Sequence, residues 1–94
     1  NNATNMGQLL IKLITQIEGV TEVRGRGLLL GVGLKDVMAK EVELECRKLG
    51  LLLNAVNENT LRLAPALIVN IDQVKRCAEI IDDAIRNVKK GLKK

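Results

Sequence analysis

The stretch Gly50-Leu51-Leu52-Leu53-Asn54-Ala55-Val56-Asn57-Glu58-Asn59-Thr60-Leu61-Arg62-Leu63-Ala64-Pro65 decides how the chain reads. Two short apolar segments flank Asn57-Glu58-Asn59, residue types that favour turns through their short polar side chains. The spacing predicts strands over 51–56 and 60–64, each too short to form a helix of ordinary length. Side chains alternate across a strand, so Leu61 and Leu63 share one face and Arg62 takes the other. Pro65 has no N–H to give a ladder and ends the second of these strands.

Upstream, Met38, Val42, Cys46 and Leu49 trace the buried stripe of a helix that Asp36 can cap and Gly50 can end. Before it, 28–35 (LLLGVGLK) is too short and too dotted with glycine for a helix and reads as a strand. Val20–Arg24 reads as another short strand, interrupted by Gly25 and Gly27 around Arg26. The first helix is expected over Asn5–Ile17, with Asn5 as cap, Gln8 three residues on and Gly19 as terminator. Downstream, Asn70 and Gln73 open a last helix. Its apolar positions are Ile71, Val74, Cys77, Ala78, Ile81, Ala84, Ile85 and Val88. The order helix, strand, strand, helix, strand, strand, helix predicts an α+β (α/β two-layer) fold, a small antiparallel sheet with helices packed on one face. Ninety-four residues make a single domain, 1–94, with fraying expected at 1–5 and 89–94. The start at Asn1, without a methionine, reads as a chain processed, tagged or cut from something longer.

Composition narrows the chemistry. Histidine is absent, which removes a His general base and a His₂Cys₂ zinc site. Phe, Tyr and Trp are absent too, which removes a stacking platform for single-stranded nucleic acid. The net charge of +4 comes largely from tail lysines, and the last helix offsets its cations with Asp72, Glu79, Asp82 and Asp83. Neither a nucleic-acid nor a membrane partner is expected. The longest apolar runs are far short of the ~20 residues that span a bilayer. Cys46 and Cys77 fall on apolar helix faces and read as buried free thiols in a cytoplasmic protein.

Few residues invite a functional reading. Gly25, Gly27, Gly31 and Gly33 lack the spacing and the following helix of a phosphate-binding loop, so a tight turn and close sheet packing fit better. Glu41, Glu43 and Glu45 alternate along a helix and point to different sides, without the geometry of a metal site. Asp82 and Arg86 stand four apart as a helical ion pair. Arg62 remains. It is either a solvent-facing strand arginine or a planar fork placed to take a carboxylate bidentately.

Two motifs bear on that choice. Val23-Arg24-Gly25-Arg26-Gly27-Leu28-Leu29-Leu30-Gly31-Val32 resembles the "VRG-G-GL--G" signature of the C-terminal small domain of class III, pyridoxal-phosphate-dependent aminotransferases. Gly50–Val56 and Asn59–Pro65 are similar to that domain's "GLL-NAV…N-LRLAPPL" segment, with Ala66 in place of the second proline. The likeness is strongest to the branch of the family that acts on N-acetylornithine. It implies a transaminase that moves an amino group between N2-acetylornithine and 2-oxoglutarate in arginine biosynthesis. It also implies a homodimer, and a substrate-carboxylate role for Arg62. Pyridoxal 5'-phosphate and its Schiff-base lysine would belong to a large domain outside this chain, so these residues alone should be inactive. The competing readings are a free-standing α/β ligand-binding or regulatory module and, further off, a nucleic-acid-binding module.

Overall fold

The structure, a computed structural model, describes residues 2–26, 29–63 and 70–92. Helix α1 (Asn2–Thr15) leads into strands β1 (Val20–Arg26) and β2 (Leu29–Leu34). Helix α2 (Ala39–Lys48), strands β3 (Asn54–Asn57) and β4 (Thr60–Leu63), and helix α3 (Ile71–Leu92) follow. The four strands form one antiparallel sheet in the order β1-β2-β4-β3. This is the α+β architecture expected from the alternation of elements.

One face of the sheet is apolar because the strands alternate. Leu30, Val32 and Leu34 of β2 and Leu61 and Leu63 of β4 are all buried. They meet Leu10 and Ile14 of α1, Val42 and Cys46 of α2, and the Val74, Ile81 and Ile85 stripe of α3 in one core. Helix α1 lies along β1, α2 along β3 and β4, and α3 packs on both α1 and α2. With no aromatic side chain available, branched aliphatics supply the volume, and Leu61, Ile81 and Ile85 are among the largest fully buried residues.

Local signals account for several boundaries. The Asn70 side chain accepts a hydrogen bond from the Gln73 backbone N–H at 2.8 Å, which caps α3 as the sequence indicates. Gly50 sits at φ 95° directly after the α2 C-cap, Leu49. Leu51 N–H then reaches Cys46 O and Gly50 N–H reaches Arg47 O, the paired bonds of a glycine-terminated helix. Glu58 and Asn59 form the turn between β3 and β4, with Asn59 N–H on the Asn57 side chain at 3.0 Å.

Other expectations need correction. Asp36 does not cap α2. It lies at φ 65° in the turn after β2, a backbone setting that Asp tolerates better than most residues. The first N–H of α2, from Ala39, instead donates to Glu58 O at 2.9 Å, so the β3–β4 turn caps the helix. Met38 is therefore outside the helix and 45 % exposed, and Ala39 takes the buried place expected of it. Ile71 opens α3 at 49 % exposure, one turn before the helix reaches its neighbours. Helix α1 begins at Asn2 and ends at Thr15, so Asn5 lies within it and Ile17 follows it. Strand β1 continues through Gly25, paired with Leu30, to Arg26, and Gly27 and Leu28 lie outside the described residues. The expected strand over 51–56 narrows to β3, because Leu51–Leu53 leave α2 without ladder partners. Ala64, Pro65 and Ala66 also lie outside the described residues.

The alternate spacing predicts Glu43 as one of three splayed carboxylates, yet its residue is only 5 % exposed. Its Oε1 accepts the Ala55 N–H at 2.7 Å and its Oε2 accepts Lys40 Nζ at 2.8 Å, which clamps α2 to the edge strand β3. The Lys40 bond, then the Ala55 N–H, hold this carboxyl below its usual range against the opposing effect of burial. A depressed folded-state value contributes stability above the unfolded carboxylate range, and that contribution is lost as pH falls through the folded value. Thermal melts of the protein should therefore show an acid-limb loss of stability, below about pH 5, that shrinks in Glu43→Gln. An identical acid limb in the two proteins would assign the loss to other carboxylates.

Candidate functional site

The face of the sheet away from the helices carries the polar members of each strand. Pairing places Arg24 of β1 beside Gly31 of β2, Gly31 beside Arg62 of β4, and Arg62 beside Asn54 of β3, one straight row across the sheet. The next row holds Glu22, Gly33, Thr60 and Asn57. Arg24, Arg62, Asn54, Glu22 and Asn57 are exposed, and Gly31, Gly33 and Thr60 are half-buried. Adjacent strands lie about 4.8 Å apart, so the backbones of Arg24 and Arg62 stand roughly 10 Å from one another across Gly31.

The two arginines differ in what compensates them. Arg24 Nη2 lies 3.2 Å from Glu22 Oε2, on side chains 79 % and 54 % exposed. Arg62 makes no ion pair with the described residues, so its guanidinium is available to an incoming anion. Burial of Leu61 and Leu63 on either side holds the Arg62 backbone in place and dictates the face from which its side chain leaves. The placement of Arg62 on the polar face is as the alternation of β4 predicts. Arg24, Gly31 and Asn54 become its neighbours through strand register, for which the sequence carries no local signal.

The remaining candidates are structural. Cys46 and Cys77 are buried free thiols, and burial pushes them up to about 12 and about 11, so neither is a nucleophile at neutral pH. Gly25 and Gly31 are strand residues rather than parts of a loop that opens a helix, so they do not cradle a phosphate. Glu43 faces β3, whereas Glu45 holds Lys48 at 3.1 Å and Asn87 at 3.2 Å. Arg86 Nε donates to Asp82 at 3.1 Å, the helical pair expected. No helix among the described residues is long and apolar enough to cross a membrane.

Comparison with known proteins gives this sheet face a context. Residues 1–85 match the family model described as Aminotransferase class-III. Acetylornithine aminotransferase from Corynebacterium efficiens is 41 % identical over 69 residues, 73 % of this chain and 17 % of that protein. The mitochondrial ornithine aminotransferase of Rattus norvegicus is 37 % identical over 89 residues, 89 % of this chain and 20 % of the relative. The crystal structure of acetylornithine aminotransferase from Elizabethkingia anophelis superposes with a TM-score of 0.72 at 31 % identity, over 92 % of this chain and 24 % of that one. The chain belongs to the class III aminotransferase family, and it spans about a fifth of the length of the relatives it matches.

That family implies pyridoxal phosphate, and among the described residues no lysine stands beside Arg62 to hold it as a Schiff base. The described lysines lie on the three helices and, at Lys35, in the turn after β2; none lies in a strand beside Arg62. Lys40 and Lys48 are bonded to Glu43 and Glu45 on α2 itself.

Proposed function

We propose that this chain is the C-terminal small domain of a class III aminotransferase that moves an amino group between N2-acetylornithine and 2-oxoglutarate. The observation that carries this reading is Arg62, exposed on the helix-free sheet face of a domain of that family and without an ion-pair partner among the described residues. A guanidinium in that position can take a substrate carboxylate through two parallel N–H···O bonds. The strands paired on either side of β4, β2 and β3, set the position of its backbone. Acetylornithine and ornithine enzymes both stand among the similar proteins, and the N-acetylated donor is favoured by the 41 % identity to the Corynebacterium efficiens protein.

In this reading the large domain of the same protein supplies pyridoxal phosphate and its Schiff-base lysine. The complete enzyme is a cytoplasmic homodimer in arginine biosynthesis. The part played by the present residues is substrate positioning and packing against that domain. The experiment is to express the complete reading frame that contains these residues and assay amino transfer from N-acetylornithine and from ornithine to 2-oxoglutarate. Faster turnover of N-acetylornithine supports the assignment, and preference for ornithine replaces the donor. A frame without a cofactor lysine, or a product without transaminase activity, points instead to a binding module built on the same fold.

A further inference from the structure

We propose that Gly31 is a specificity-determining position, which leaves open the bay beside Arg62 that the carboxylate-bearing end of the substrate fills. This rests on the carboxylate role proposed above for Arg62.

The described glycines in the sheet and at the turns beside it differ in what requires them. At Gly19 and Gly50 the backbone adopts φ 101° and 95°, where side chains are strained. At Gly33 a Cβ would lie 2.6 Å from the Thr21 hydroxyl, beside the bulge between Val20 and Glu22, so close packing requires glycine. At Gly25 a Cβ would crowd Leu30 at 3.2 Å and Ile11 at 3.3 Å. Gly31 has none of these reasons. Its φ is not positive, and among the described residues a Cβ there would meet a single atom, Arg24 O, at an ordinary 3.9 Å. Glycine nonetheless sits at the centre of an inner strand, where it weakens the sheet and packs nothing. Packing among the described residues therefore does not require it, and the reason we assign lies above the open face.

The register says what stands there. Gly31 is directly opposite Arg62 on one side and Arg24 on the other. A side chain at 31 would bring its Cβ to about 5 Å from that of Arg62 and occupy the space the guanidinium crosses. Arg24 is paired with Glu22, so of the two arginines flanking Gly31 it is Arg62 that has no ion-pair partner among the described residues. An anion bound by Arg62 has room over β2 because position 31 carries no side chain.

The test uses the complete aminotransferase with Gly31→Ala, Gly31→Val and Arg62→Ala. Four quantities are read: the KM for 2-oxoglutarate, the inhibition constant of the unreactive dicarboxylate glutarate, the cofactor absorbance and the Tm. Valine suits a strand, so Gly31→Val should keep Tm and cofactor absorbance. It should raise both the KM and the glutarate constant about tenfold, and Gly31→Ala should raise them by no more than about threefold. If Gly31→Val binds glutarate as the parent does while Arg62→Ala does not, this inference falls and the Arg62 reading stands. If Arg62→Ala is without effect, both fall together. A lowered Tm or lost cofactor in Gly31→Val would show that the glycine serves packing against the rest of the protein, and the inference is then wrong.

Discussion

Arg62→Ala in the complete enzyme is expected to raise the KM for 2-oxoglutarate, or for glutamate in the reverse direction, about ten- to a hundredfold. That range follows from roughly 1.5–3 kcal/mol for a charge-assisted bond to a carboxylate. The fold should not register the change. Arg62 is exposed and makes no ion pair with the described residues, so its removal should move stability by no more than about 0.5 kcal/mol. Arg62→Lys separates charge from geometry. Lysine keeps the positive charge but loses the planar fork, and should recover only part of the affinity. Steady-state kinetics with both keto acid and amino acid, beside a melt of each variant, give the answer. Unchanged KM values for both substrates would remove Arg62 from the site.

The second large effect concerns the residue next to it. Leu61 is fully buried in the inner strand β4, between Val32 on one side and Ala55 on the other. Leu61→Ala leaves a cavity under the sheet that the surrounding aliphatic core can close only in part, at a cost of about 2–5 kcal/mol. A domain of this size has a total stability of about 5–15 kcal/mol, so one substitution removes a large fraction of it. The melt of this domain should fall by roughly 10 °C or more. Leu52→Ala is the matched control, since Leu52 is 77 % exposed, and should shift the same melt by no more than about 0.5 kcal/mol. Equal losses in the two variants would mean that Leu61 is not where the core is. The Leu61 effect also reaches function, because β4 carries Arg62 and a loosened strand loosens the fork.

The features legible in the sequence are those whose causes lie within a few residues of one another. The alternation Leu61-Arg62-Leu63 assigns the arginine to the polar face before any contact is known, and β4 obeys it. Asn70 and Gln73 form a cap three residues long, and Gly50 ends a helix whose last carbonyls are close at hand. The buried thiols follow from the helical rhythm around Cys46 and Cys77. Where the local pattern misleads, a distant group has intervened. Asp36 looks like a cap for α2, but the Glu58 carbonyl performs that role from another part of the chain. Glu43 reads as one of three glutamates spread to different sides of a helix, but the edge strand brings the Ala55 N–H to it.

The sequence by itself therefore determined the types and order of the elements, the apolar face of the sheet and the side on which Arg62 emerges. Each depends on periodicity along one element. The tertiary structure decided the row Arg24–Gly31–Arg62–Asn54, the burial of Glu43 and the start of α2. Each of these depends on how separate elements are paired and packed. A shift of one residue in register would turn a strand's polar and apolar positions to opposite faces, and burial of Leu61 and Leu63 against the helices holds the pairing that sets Gly31 beside Arg62.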